Sequence, residues 1–108
     1  MTGYYLAHGK VQGVMFRQTV IRGAQKRGLR AGATNLPGGT EVAVTLEGEE
    51  TVISEMLHSA RTTHPLNSWG ASVVRLDVVD HGMPIEEHQV TTDNVDNFAW
   101  NPNIEMFL

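Results

Sequence analysis

The stretch Gly9-Lys10-Val11-Gln12-Gly13-Val14-Met15-Phe16-Arg17 decides the fold, because it joins an extended segment to a helix through a glycine-punctuated bend closed by an arginine. Val11, Val14 and Phe16 offer apolar anchors for burial, while Gly9 and Gly13 permit positive φ or close approach of another backbone. A helix that begins at once brings free N–H groups to its first turn. Those donors, the positive end of the helix dipole and the Arg17 guanidinium together describe an anion cradle, and the expected ligand is a phosphoryl group.

Upstream of the bend, Tyr5, Ala7 and Val11 share one face with Gly9 between them, a period of two that predicts a strand from Tyr4 to Val11. Downstream, Phe16, Val20, Ile21 and Ala24 recur at helical spacing, with Gln18, Arg22 and Gln25 on the opposite side. The helix runs from about Arg17 to Arg27, with Lys26 and Arg27 opposing the negative end of its dipole and Gly28 as a left-handed stop. Leu29 to Leu36 alternates weakly through Ala31, Gly32 and Ala33, and leads into the turn Pro37-Gly38-Gly39. Val42, Val44 and Leu46 then alternate with polar or small neighbours, so the two segments form a hairpin. Gly48 ends it, and Val52, Ile53, Met56, Leu57 and Ala60 stripe a second helix with Glu49 and Glu50 near its N-terminus. Thr62 to Asn67, containing Pro65, reads as a loop. Val74, Leu76 and Val78 carry a further strand over 71–79, His81 to Pro84 breaks it, and Val90 supports a final short strand within 85–92. The order β-α-β-β-α-β is that of an α+β, ferredoxin-like split βαβ fold: an antiparallel sheet with two helices on one face.

A chain of 108 residues is near the modal size of one domain and can bury a single core. It has no cysteine, which removes disulfide and thiol chemistry and fits a reducing compartment. The N-terminal residues lack the pattern of a signal peptide, and no stretch is apolar for long enough to span a bilayer, so the expected location is cytoplasmic. The net charge of -4 argues against nucleic acid as a partner. Its distribution is uneven: six of the eight Lys and Arg, and none of the twelve acids, fall in the first 40 residues. A small anionic substrate would be drawn to that part. Arg22, Lys26, Arg27 and Arg30 read as solvated surface charge. The five histidines show no metal-ligand spacing, and Asp93-Asn94-Val95-Asp96-Asn97 lacks the glycine and glutamate of a calcium loop, so no metal or cofactor is expected.

The run Gly9-x-Val11-Gln12-Gly13-Val14-x-Phe16-Arg17 resembles the acylphosphatase signature G-x-V-Q-G-V-x-F-R at every specified position. The resemblance covers residues 4 to about 79 and implies hydrolysis of the carboxyl-phosphate bond of acyl phosphates. It implies that Arg17 binds the phosphoryl group, that backbone N–H groups of Gln12, Gly13, Val14, Met15, Phe16 and Arg17 contact its oxygens, and that Asn35 holds the attacking water. Without the resemblance, Asn35 before Pro37-Gly38-Gly39 would read as turn chemistry.

The chain departs from the family pattern in three places. Ala7, and Gly32-Ala33 where an aromatic followed by valine is usual, imply a thinner core beside the active strand. The hairpin carries one extra residue after Asn35, to be absorbed by a longer turn or a bulge. Glu87-His88-Gln89-Val90 replaces the usual closing strand. Residues 1–92 are thus expected to form the domain, with 93–108 an extension. Phe98, Trp100, Ile104, Met106, Phe107 and Leu108 make that extension too apolar for a solvated tail, so it should cover a surface or edge or meet a partner; the alternative is a disordered terminus. The expected partner is a small acyl phosphate, with neither nucleic acid nor membrane. The chain is expected to be a monomer, with residues 93–108 as the route to self-association. The alternative function is a non-catalytic protein-binding domain that uses the same apolar segment.

Overall fold

A computed structural model describes all of residues 1–108. The strands are β1 (Thr2–Lys10), β2 (Arg30–Asn35), β3 (Glu41–Glu47), β4 (Ser72–Val79) and β5 (Val90–Thr91), and the helices are α1 (Phe16–Lys26) and α2 (Glu50–Thr62). The sheet order is β4-β1-β3-β2-β5, every pair antiparallel. This is the ferredoxin-like α+β arrangement, extended by one short edge strand. No helix is long and apolar enough to cross a membrane.

The period-two and helical patterns meet in one core. Tyr5 and Ala7 of β1, with Val11 just after it, and Val42, Val44 and Leu46 of β3 are buried against Phe16, Val20, Ile21 and Ala24 of α1 and Ile53, Met56 and Ala60 of α2. Helix α1 starts and stops one residue earlier than its periodicity predicts. The strand expected within 85–92 shrinks to a 3₁₀ turn at Ile85–Glu87 and the two residues of β5, which pair with Gly32 and Ala33.

Two predicted faces are corrected. Val73, not Val74, is the buried residue of β4: the register against β1 shifts between His8 and Gly9, which leaves Val74 unpaired and 84% exposed. Val78, at the far end of this edge strand, is 70% exposed. Gln18, assigned to the solvent side of α1, is buried, because that side lies under the segment after β5. Gln25 donates to Thr92 O and Arg22 to Asp96 along the same side.

Residues 93–108 lie against the body of the protein. Val95 and Leu108 belong to the main core cluster, with Trp100 packed beside it. The segment runs antiparallel to residues 66–68 through Phe107 N–H to Leu66 O and Ser68 N–H to Glu105 O, both 2.8 Å. It ends with Leu108 against Gly23, where Lys26 Nζ donates to Leu108 O at 2.7 Å.

The thin core expected at Gly32 is filled from elsewhere. Gly32 pairs with Thr45 on the sheet face away from the helices, and a Cβ at Gly32 would lie 2.5 Å from the His88 ring. That ring is buried among polar partners: Thr45 Oγ1 lies 2.7 Å from Nε2 and itself donates to Met83 O. Thr34 Oγ1 lies 2.9 Å from Nδ1 and accepts the Gln89 N–H. A neutral imidazole protonated on Nε2 satisfies every one of these bonds, and burial pushes the His88 pKa below its ordinary value. The unfolded chain therefore takes up this proton first as pH falls, and the stability contributed by the neutral ring is present above about pH 6.5 and lost below it. In urea titrations, wild type should be more stable than His88→Gln at about pH 7.5, and the gap should narrow towards about pH 5; a gap that stays constant would contradict the titrating ring.

Candidate functional site

The bend between β1 and α1 is held in a shape that few sequences adopt. Gly13 has φ 75° and Met15 has φ 60°, the one non-glycine residue of the chain in the left-handed region. Such a conformation in an L-residue costs about 1–2 kcal/mol and persists only where the surroundings fix it. Here Met15 O accepts both the Thr19 N–H and the Thr19 hydroxyl, and Val14 O accepts Nδ2 of the fully buried Asn67. Gln12 Nε2 donates to Leu36 O at 2.7 Å and to Glu41 O at 2.8 Å, which ties the bend to the β2–β3 hairpin. None of the backbone N–H groups from Gln12 to Gln18 donates to another backbone group, those of Phe16 to Gln18 because they form the first turn of α1.

A cavity of about 200 Å³ opens over this bend, walled by Gly13, Met15, Phe16 and Arg17, by Asn35 from the hairpin, and by the indoles of Trp69 and Trp100. Five of the residues singled out in the sequence thus share one cavity. Gln12 and Val14 do not line it: the Gln12 carboxamide is committed to the hairpin, and Val14 is buried. The extra hairpin residue sits in the turn, where Gly38 and Gly39 take positive φ; the Leu36 N–H bonds Glu41 O, and Asn35 stays in register with Val42.

The Arg17 guanidinium and the Asn35 backbone meet at one oxygen. Gln89 Oε1 accepts Arg17 Nη1–H at 2.8 Å and the Asn35 backbone N–H at 2.9 Å. Partial burial pushes the Arg17 pKa below that of a solvated guanidinium. Arg17 faces no carboxylate, whereas Arg22 pairs with Asp96, Arg27 with Glu55, and Arg30 with Glu47 and Glu86. Those three are therefore ion-paired surface groups and not merely solvated ones. The Asn35 carboxamide has no partner at its oxygen, which is buried. The site residues that the sequence did not point to are Gln89, Trp69 and Trp100. Gln89 carried no signal, and the two tryptophans are the only ones in the chain but stand in a loop and in the tail.

Chemically, the arrangement is a nest of unpaired amides at a helix N-terminus, one cation with only a neutral partner, and a free carboxamide, mounted on a ferredoxin-like sheet: a class of fold and site whose donors suit an anion. Comparison with known proteins gives that class its family. The acylphosphatase family model matches residues 3–92, and the chain belongs to the acylphosphatase family. An acylphosphatase of Dehalococcoides mccartyi is 40% identical over 60 residues, a stretch covering 56% of this chain and 66% of the relative, just under two thirds of its length. One from Thermococcus kodakarensis is 38% identical over 71 residues, covering 66% of this chain and 72% of the relative. Among solved structures, the acylphosphatase of Bacillus subtilis superposes with a TM-score of 0.62 at 28% identity, covering 82% of this chain and 92% of that one.

Removing the Gln12 carboxamide in Gln12→Ala would leave the Leu36 carbonyl without a donor and the Glu41 carbonyl with the Leu36 N–H alone, and would uncouple bend from hairpin. A loss of about 1–3 kcal/mol is expected in chemical denaturation; an unchanged midpoint would show that the staple is dispensable.

Proposed function

We propose that the chain is an acylphosphatase that hydrolyses the carboxyl-phosphate bond of small acyl phosphates, with Arg17 and the amides of the bend holding the phosphoryl group and Asn35 orienting the attacking water. The observation that carries this reading is one cavity walled by Arg17 and by Asn35, whose carboxamide oxygen is unpaired, beside the unpaired N–H groups of the bend. Phosphoryl transfer runs through a largely dissociative transition state, so positioning and charge stabilisation supply most of the catalysis. Water oxygen attacks phosphorus in line as the bond from phosphorus to the acyl oxygen breaks. The leaving carboxylate, with a pKa near 4, departs without a proton. The water's proton passes to a phosphoryl oxygen, and the products are a carboxylate and inorganic phosphate. Neither a general acid nor a metal is required by this sequence of events.

Asn35 suits its part because its carboxamide is uncommitted: the oxygen has no partner, and a half-turn of the amide exchanges the oxygen and nitrogen ends. Gln89 suits its part by being neutral. Its amide oxygen holds the guanidinium in place without cancelling the charge, so a phosphoryl dianion outcompetes it. The absence of cysteine fits action in a reducing compartment such as the cytoplasm. The alternative, a non-catalytic binding domain using residues 93–108, is disfavoured because Leu108 and Trp100 are spent on the chain's own body.

Hydrolysis of benzoyl phosphate in the presence of a chelator tests the reading. Arg17→Gln and Asn35→Ala should each lower kcat by about 10²–10³-fold, the scale seen when a donor to developing charge is removed; variants as fast as wild type would end it. Gln89→Glu places a carboxylate on the same guanidinium. It should raise KM by about tenfold or more with the fold intact, and a KM equal to that of wild type would show that Gln89 does not face the occupied site.

A further inference from the structure

Two indoles wall the cavity beside Arg17, and both have their single polar atom turned into the protein. Trp100 Nε1 donates to Val95 O at 2.7 Å, and Trp69 Nε1 donates to Asn103 O at 3.2 Å. What they offer the cavity is therefore ring carbon alone. Both rings are also fixed. Trp100 stacks on Phe98 with centroids 5.1 Å apart, and Trp69 is held at its backbone by Asn67 Oδ1 and at its ring by the tail. Trp69 nonetheless remains 37% exposed, a large apolar surface left uncovered at the mouth of the site. Val11, Met15 and Phe16 continue the apolar lining, and the only charged group on the wall is Arg17.

We propose that Trp69 and Trp100 form an acyl subsite that selects acyl phosphates whose acyl group is uncharged and apolar. The proposal rests on the acyl-phosphate reading of the same cavity and adds to it the class of acyl group. Once Arg17 and the amides engage the phosphoryl group and the Asn35 carboxamide engages the water, a second carboxylate or an ammonium on the substrate would find no counter-charge on this wall. An apolar group gains instead, at about fourfold in affinity for each methylene buried. A cavity of about 200 Å³ is smaller than a drug-sized pocket and limits the acyl group to a single ring or a short alkyl chain. Trp100 lies beyond residues 3–92, the span matched by the family model, so one side of the subsite is built by the tail.

The test separates binding from turnover by using acylphosphonates, in which the carbonyl carbon is bonded directly to phosphorus and hydrolysis is blocked. Affinities of acetylphosphonate, butyrylphosphonate, benzoylphosphonate and succinylphosphonate are measured by calorimetry for wild type, Trp69→Leu and Trp100→Leu. Wild type should bind the benzoyl and butyryl compounds at least about tenfold more tightly than the acetyl one, and succinylphosphonate no better than acetyl. Each variant should reduce the benzoyl-to-acetyl ratio by about fivefold or more while leaving acetylphosphonate within about twofold, which also reports an intact anion site. A ratio near one in wild type, or a ratio unchanged in both variants, overturns the subsite. Should the preference hold while wild type hydrolyses no acyl phosphate, the catalytic reading falls and the apolar subsite stands.

Discussion

The site depends on the carboxamide of Gln12. Its two N–H groups each take a carbonyl of the β2–β3 hairpin, and so lock the bend that carries Arg17 to the strand end that carries Asn35. Neither segment could hold its position alone: the bend contains a strained Met15, and the hairpin turn contains an extra residue and two positive-φ glycines. The amides from Gln12 to Gln18 of this bend and first helical turn stand outside the helix and sheet ladders. The polar groups a folded chain normally pairs internally are here left over by construction, next to one cation.

Charge is arranged to the same end. The sequence segregates its Lys and Arg towards one end and its acids towards the other, which in an extended chain would read as a dipolar molecule. Folding mixes them. Acids from β3, α2 and the segments around β5 neutralise Arg22, Arg27 and Arg30 at the surface, where each pair contributes little to stability. What the pairing achieves is selectivity of position, because Arg17 is left facing the cavity with a neutral amide as its partner.

Much of this was legible in the residues. Alternation in β1 and β3, the stripes of α1 and α2, and the signature from Gly9 to Arg17 are local patterns, and each found its element within a residue or two. The failures share a cause, since each turned on a contact between residues distant in the chain. Gly32 looked like a hole because the His88 ring that fills it comes from beyond β4. Gln18 looked solvent-facing because its side of α1 is covered by the segment after β5, and Val74 looked buried because a bulge opposite Gly9 is invisible in the periodicity of β4 alone. Trp69 and Trp100 line the cavity, and Gln89 bonds Arg17 and the Asn35 backbone, for the same reason: the chain path around the sheet, and no spacing along it, brings them there.

The wrapped tail also makes the cavity depend on a distant contact. Lys26 and Leu108 are 82 positions apart yet bonded, so this closure is among the most non-local in the molecule and comes at a high cost in chain entropy. Without the docked tail, α1 would show bare hydrocarbon where Leu108 sits, and the cavity would lack its Trp100 wall and the carbonyl that holds the Trp69 ring. The pocket beside Arg17 is thus complete only when one of the longest-range contacts in the chain is made.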